Sequence, residues 1–109
     1  MKILKFGGSS LETPERIKNV VDIILKSRKN DKQQENKEIA VVFSAFGGVT
    51  DKLIETSNLA AKGDEKYKKL FSELEKRHLD AVNALIAVEK QTKVLNHIKS
   101  LLKELEALL

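Results

Sequence analysis

A lysine and a pair of glycines close a short apolar segment near the start of the chain. Residues 2–6 mix polar and apolar side chains in the alternation that predicts a β-strand, and Gly7 and Gly8 follow. Glycine accepts positive φ and permits a close approach that a Cβ would block. The ammonium group of Lys5 could then neutralise a phosphoryl oxygen, while the amides of Gly8 and Ser9 form a nest for an anion. These residue types predict phosphoryl transfer, although a glycine pair after a strand is also common in a simple turn.

A second loop of similar composition follows the run Ile-Ala-Val-Val-Phe at 39–43. This run is continuously apolar and rich in β-branched residues, which predicts a strand covered on both faces, as in a parallel α/β sheet. Ser44 and Ala45 lie at its carboxyl end, and a glycine pair predicts a turn after them. Thr50 is a candidate N-cap for a helix starting at Asp51. Taken singly, Ser44 could be only a strand-end hydroxyl and Thr50 only a cap.

One helix between these strands would bring both loops to the same edge of a sheet. Thr13-Pro14-Glu15 supplies an N-cap, a proline at the first helical position and an acid in the first turn. Segment 26–38 has no apolar residue and predicts a solvated helix end and loop. Strand, helix and strand predict a right-handed βαβ unit. Apolar residues at helical spacing predict one face packed on the sheet: Ile17, Val20, Val21, Ile24 and Leu25.

The two loops carry a family resemblance. Lys-Phe-Gly-Gly-Ser-Ser at 5–10 resembles the K-F-G-G-[ST]-S signature that opens aspartate kinases of the amino-acid kinase superfamily, and residues 44–53 are similar to their S-A-x-x-G-x-T-[DN]-x-L stretch. Neither loop has the residue order of a Walker A motif or a dinucleotide-binding fingerprint. The resemblance implies a catalytic and phosphate-binding Lys5, phosphate contacts from Gly7, Gly8 and Ser9, and substrate contacts from Ser44, Ala45 and Thr50.

What the resemblance implies for activity is transfer of the γ-phosphoryl group of ATP to the β-carboxylate of L-aspartate. The product would be 4-phospho-L-aspartate, in the first step of lysine, threonine and methionine biosynthesis. Mg²⁺ is expected with ATP, although the residues show no ligand set for a metal, and a homo-oligomer is expected. The implied fold is the three-layer α/β/α fold of amino-acid kinases. Two alternatives stay open: a kinase of the same superfamily acting on another carboxylate, and a non-catalytic helical interaction module.

The rest of the chain is predicted to be helical, without further strands. A short helix should end at Gly63, and Asp64 is a candidate N-cap for a helical hairpin with its turn near 89–92. This part resembles the long insertion of aspartate kinases, including the kinase half of enzymes fused to homoserine dehydrogenase. His78 and His97 are the only histidines and lack partners at zinc-ligand spacing.

Composition and length bound these predictions. The 109 residues contain no cysteine and no apolar run near the ~20 residues that span a bilayer, so we expect a cytoplasmic protein without a membrane or leader segment. A net charge of +4 suits anionic small ligands and is too diffuse to indicate nucleic-acid binding. Two strands cannot support a doubly wound sheet. We therefore expect 1–109 to be the N-terminal part of a catalytic domain, with a βαβα part at 1–62 and the hairpin at 63–109.

Overall fold

The computed structural model describes residues 2–30 and 38–109. These residues form a mixed α/β structure that is mostly helical and divides into two compact units, 1–48 and 49–109. In chain order the elements are β1 (Lys2–Phe6), a 3-10 helix (Gly8–Leu11), α1 (Pro14–Asn30), β2 (Ile39–Phe43), α2 (Val49–Ala61), α3 (Tyr67–Leu85) and α4 (Val88–Leu108).

The first unit contains a two-stranded parallel sheet. β1 pairs with β2 in a register that runs from Lys2 opposite Ile39 to Phe6 opposite Phe43. The Ser44 amide donates to the Phe6 carbonyl at 3.1 Å, and the Phe6 and Phe43 rings stack with centroids 6.0 Å apart. Both strands therefore end at the same edge, which confirms the predicted parallel pairing and the common origin of the two loops.

The prediction that β2 is covered on both faces is wrong within the described residues. Val42 is 49% exposed and Phe43 is 55% exposed, and on β1 Ile3 is 66% exposed. An apolar parallel strand needs a packed layer on each face. The described elements of this unit do not supply two complete layers, so the strand keeps the composition of a buried strand without the burial.

The start of α1 follows the predicted capping pattern. The Arg16 amide donates to Thr13 Oγ1 at 3.2 Å, the Ile17 amide donates to the Thr13 carbonyl at 3.0 Å, and Pro14 is the first helical residue. Thr13 thus satisfies an amide that lacks a partner inside the helix. The predicted N-cap is confirmed.

The apolar face of α1 is narrower than predicted. Val20 is buried, as is Leu11 of the 3-10 helix that packs with α1. Val21 and Leu25 are almost half exposed, at 46% and 49%. The stripe is therefore only partly used within this unit. Most of the solvated loop that was predicted after α1 lies at 31–37, outside the described residues.

The second unit begins with α2, which starts earlier than predicted. Its first residue is Val49, so Thr50 is the second helical residue and the prediction that Thr50 is the N-cap is wrong. Gly48, the residue before the helix, has φ of +82°. This left-handed conformation suits glycine and lets the chain turn into the helix before Thr50 is reached.

The end of α2 is a Schellman motif. The Gly63 amide donates to the Ala60 carbonyl at 3.1 Å and the Asp64 amide donates to the Leu59 carbonyl at 2.9 Å. Gly63 has φ of +72°, which is the left-handed conformation that this motif requires. The predicted stop at Gly63 is confirmed.

Helices α3 and α4 form the predicted hairpin, with two differences at their ends. Regular helix in α3 begins at Tyr67, because Asp64 Oδ1 accepts the Lys66 amide at 3.0 Å in a turn that precedes it. The break between the helices lies at Ile86 and Ala87, whose ψ angles are 135° and 142°, so the turn predicted near 89–92 is wrong. The sequence around the break is apolar and has no Gly or Pro to mark it.

Packing in the second unit joins α2 to α3 and α3 to α4. The buried apolar residues of α3 are Phe71, Leu74, Ala81 and Val82. Thr56, only 1% exposed, donates its hydroxyl hydrogen to the Lys52 carbonyl at 2.6 Å. The Lys52 ammonium and the Glu73 carboxylate form an ion pair between α2 and α3 at 2.6 Å. The hydrogen bond and charge of Lys52 lower the pKa of the Glu73 carboxyl below its ordinary value.

Candidate functional site

The loops that follow β1 and β2 meet in the first unit, and glycine makes this approach possible. A Cβ on Gly8 would lie 3.4 Å from Gly47 Cα, 3.6 Å from Ser44 Oγ and 3.8 Å from the Ala45 carbonyl oxygen. A Cβ on Gly47 would lie 2.8 Å from the Gly8 carbonyl oxygen, closer than real Cβ contacts allow. The structure thus brings Gly8, Ser44 and Ala45 together, as predicted. It adds Gly47, which sequence reasoning had assigned only to a turn.

Neither glycine after β1 has an unusual backbone conformation or a position at which a Cβ would clash. Gly7 has φ of −84° and ψ of 177°, an extended conformation open to any residue, so the positive φ that glycine allows is not used at this position. A Cβ added at Gly7 would meet nothing within 4 Å. Within residues 2–30 and 38–109, the glycines with positive φ are Gly48 and Gly63. A Cβ on Gly8 would make only ordinary van der Waals contacts, so the position at which the meeting of the two loops requires glycine is Gly47.

A 3-10 helix presents the amides that were predicted to bind phosphate. It begins at Gly8, and the Ser10 amide donates to the Gly7 carbonyl at 3.2 Å. An amide in a 3-10 helix donates to the carbonyl three residues earlier, and for Gly8 and Ser9 that carbonyl lies before the helix. Both amides therefore lack a partner inside the helix and point out of its N-terminal end. Leu11, at the other end of the helix, is buried and anchors it in the unit.

Arg16 and Glu12 support this loop, and the sequence had not singled them out. Arg16 Nη1 donates to the Ser9 carbonyl and to Glu12 Oε2, both at 2.8 Å. The carbon stem of Glu12 lies beside Gly47, where an added Cβ would be 3.2 Å from Glu12 Cβ. The four-residue spacing of Glu12 and Arg16 is only a weak signal, because Glu12 precedes α1 and the i,i+4 rule applies within a helix. It gave no sign that the pair would contact both loops.

Lys5 and Ser44 offer a cation and a hydroxyl near the ends of their strands. Lys5 is exposed, lies one residue before the end of β1 and pairs in register with Val42. Ser44 is exposed and donates its hydroxyl hydrogen to the Ala45 carbonyl at 2.6 Å, which leaves the lone pairs of its oxygen as acceptors. A cation, outward-pointing amides and hydroxyls at the carboxyl ends of parallel strands can together bind an anionic ligand.

Thr50, the remaining predicted contact, belongs to the second unit. It lies in the first turn of α2, and its side chain is exposed. Because the helix starts before it, the hydroxyl of Thr50 is not required as the N-cap of α2. That hydroxyl can therefore contact a ligand without giving up a capping role.

The histidines and acids of the described residues do not form a metal site. No group of three or more His, Cys, Asp or Glu side chains in these two segments is arranged to hold a metal ion. His78 Nδ1 lies 2.7 Å from the Leu74 carbonyl one turn earlier on α3, and His97 is exposed on α4. None of the helices described is both long and apolar enough to cross a membrane.

Comparison with known proteins gives one family. The model of the amino acid kinase family matches residues 1–107. The chain is 32% identical over 105 residues, 96% of its length, to a maize protein named bifunctional aspartokinase/homoserine dehydrogenase 1, chloroplastic. It is 43% identical over 53 residues, 49% of its length, to a Corynebacterium glutamicum protein named aspartokinase. The chain spans only about 11% of the length of each of these relatives.

Proposed function

Because the chain belongs to the amino acid kinase family, we propose that it is the N-terminal part of an aspartate kinase. The observation that carries the proposal is the meeting of its two loops. Gly8 of the Lys-Phe-Gly-Gly-Ser-Ser segment lies against Ser44, Ala45 and Gly47 of the second loop. The aspartokinase names of the relatives support aspartate as the substrate.

The proposed reaction is an in-line phosphoryl transfer. A β-carboxylate oxygen of L-aspartate attacks the γ-phosphorus of ATP, the bond from that phosphorus to the bridging oxygen breaks, and ADP leaves with the electron pair. Little covalent chemistry is left for the protein, so catalysis is positioning and electrostatic stabilisation. Lys5 neutralises charge on the transferring group, and Gly7, Gly8 and Ser9 contribute backbone contacts to the phosphate. Ser44, Ala45 and Thr50 hold aspartate.

Mg²⁺ is expected with ATP in this family, and in kinase sites it is bound through substrate phosphates together with one or two carboxylates. Among the described residues, no group of three or more His, Cys, Asp or Glu side chains is arranged to hold a metal ion by itself. We therefore assign no step of the mechanism to the ion.

We further propose that the sheet belongs to a three-layer α/β/α domain, since β2 has the composition of a strand buried on both faces and is half exposed here.

A coupled assay of the full-length gene product tests the proposal. ADP formation would be measured with ATP and, in turn, L-aspartate, L-glutamate, N-acetyl-L-glutamate and carbamate. We expect turnover with L-aspartate alone. Turnover with another carboxylate would keep the family and replace the substrate, and absence of turnover with every acceptor would contradict the kinase assignment.

A further inference from the structure

The Arg16 side chain links α1 to the loop that follows β1, residues 7–10, which we call the phosphate loop. Its Nη1 donates to the Ser9 carbonyl and to the Glu12 carboxylate, both at 2.8 Å. Ser9 is the residue whose amide we assign to phosphate binding, so its carbonyl and its amide are on neighbouring peptide groups of the same short helix. A bond that fixes this carbonyl restricts rotation of the chain that carries the amide.

The backbone of Arg16 is itself held in place. Its amide donates to Thr13 Oγ1 at 3.2 Å, which places Arg16 in the capped first turn of α1. Leu11 lies in the sequence between the loop and that first turn, and it is buried, with 5% of its surface exposed. The guanidinium therefore reaches the loop from a position that the helix cap and a core residue both define.

Glu12 extends this support to the second loop. Its stem covers the side of Gly47 on which a Cβ would project, with Cβ and Cγ 3.2 and 3.3 Å from that point. The Gly8 carbonyl oxygen lies 2.8 Å from the same point. Glu12 and Gly8 thus enclose Gly47, while Arg16 holds Glu12 and Ser9. One ion pair contacts both loops of the candidate site.

An ordinary stability role does not account for this arrangement. The side chains of Arg16 and Glu12 are 52% and 54% exposed. Exposed ion pairs contribute little to folding, typically below about 1 kcal/mol. What the pair does constrain is the geometry of two loops, and small displacements of a binding group have large effects on phosphoryl transfer.

We propose that Arg16 and Glu12 are positioning residues, which hold the phosphate loop and the second loop in the arrangement that binds the transferring phosphoryl group. This inference rests on the proposed kinase function for its catalytic consequence, and on the contacts above for its structural one. Neither side chain touches the substrate in this account. Both act through the loop residues Ser9 and Gly47.

The structural consequence is tested by NMR on the 109-residue chain labelled with ¹⁵N. Arg16→Ala should shift the amide resonances of Ser9, Ser10 and Gly47, and Arg16→Lys should reverse part of each shift. Arg28→Ala, which removes an exposed arginine from the last turn of the same helix, is the control and should leave these resonances unchanged. Unchanged loop resonances in Arg16→Ala would overturn the inference, whatever reaction the protein catalyses.

The catalytic consequence is tested in the full-length enzyme. Arg16→Ala and Glu12→Ala should each lower kcat by roughly ten- to a hundredfold with an unchanged melting temperature, Arg16→Lys should recover part of the loss, and Arg28→Ala should match the parent. Equal kcat in Arg16→Ala and the parent would overturn the positioning role. An inactive parent enzyme would instead contradict the proposed function, and the NMR result alone would then decide whether Arg16 positions the loops.

Discussion

Lys5 carries the electrostatic part of the proposed mechanism at the residue scale. Its ammonium is a compact charge placed near the end of β1, next to the loop whose amides face outward. If it stabilises charge that develops in the transition state, its loss should reduce kcat more than it raises KM.

We expect Lys5→Met in the full-length enzyme to lower kcat by about a hundredfold, which corresponds to roughly 3 kcal/mol of transition-state stabilisation. Steady-state kinetics with ATP and L-aspartate measures this. Lys18→Met, which removes an exposed lysine of α1, is the matched control. A kcat close to that of the parent in Lys5→Met would remove this side chain from the mechanism.

Substitution by alanine is expected to have opposite effects on stability at Gly47 and at Gly7. Gly47→Ala places a Cβ 2.8 Å from the Gly8 carbonyl oxygen, so we expect a loss of roughly 1–3 kcal/mol as the loops separate. Gly7→Ala meets nothing within 4 Å and has an ordinary φ of −84°, so it should stabilise the chain by about 0.4–1 kcal/mol. Urea unfolding of the 109-residue variants measures both. Equal stabilities would mean that the loops do not approach as closely as described.

Substitutions of Thr50 distinguish a ligand contact from a structural role of its hydroxyl group. Since α2 begins at Val49, Thr50→Val should leave the melting temperature nearly unchanged and raise the KM for aspartate in the full-length enzyme. Thr50→Ser keeps the hydroxyl and should behave like the parent. A Thr50→Val variant that loses about 1 kcal/mol of stability and no affinity would restore the capping interpretation.

At the scale of elements, the ion pair between α2 and α3 gives the second unit a pH dependence. Its hydrogen bond and its attraction to Lys52, with a smaller contribution from Lys69, lower the pKa of Glu73 below the ordinary value of 4.5. The carboxylate thus binds its proton less readily in the folded state. The stabilisation is complete above pH 4.5 and is lost as the pH falls through the lowered pKa.

Glu73→Gln should therefore unfold at a lower temperature than the parent near pH 7, and the two melting temperatures should converge in acid. Circular dichroism melts of the 109-residue chain between pH 7 and pH 2 measure the difference. Glu55→Gln, an exposed acid on α2, controls for the general loss of negative charge. A difference that does not change with pH would show that the charge of Glu73 has no part in the packing of α2 on α3.

Elements marked by a special residue were predicted well from the sequence. Thr13-Pro14 marks the start of α1 and Gly63 marks the end of α2, because each residue has a backbone or capping property that acts locally. The break at Ile86 and Ala87 has no such residue. It is stabilised by Gln91, whose Nε2 donates to the Ile86 carbonyl at 2.8 Å and to the Asn83 carbonyl at 3.3 Å. A side chain that caps across a turn leaves no periodic signal.

Prediction from the sequence reached a similar limit at the candidate site. The glycine pairs and the strand ends predicted that two loops would meet, since parallel strands place their carboxyl ends together. The specific approach of Gly8 to Gly47, and the contacts of Arg16 and Glu12, depend on tertiary geometry that spacing along the chain does not encode. Exposure of Val42 and Phe43 was mispredicted because burial depends on which layers are present, and composition cannot report that.

For the whole molecule, the exposed apolar surfaces agree with the proposal that this chain is part of a larger kinase. Phe43 of the sheet is 55% exposed, and on α4 Leu101 and Leu108 are 52% and 85% exposed. The chain spans about 11% of the length of its aspartokinase relatives. Parallel sheets are normally covered on both faces. We therefore expect the proposed activity to be a property of the full-length protein, with this chain supplying the phosphate and aspartate loops.

The most direct test of that account is to trap the product. An acyl phosphate of aspartate reacts with hydroxylamine to release phosphate and form a hydroxamate, whereas an ATPase or a kinase acting on a hydroxyl group gives none. The full-length enzyme with ATP, L-aspartate and hydroxylamine should form aspartyl hydroxamate in step with ADP, and Lys5→Met should suppress both. Formation of ADP at the parent rate without any hydroxamate would contradict phosphorylation of the aspartate carboxylate.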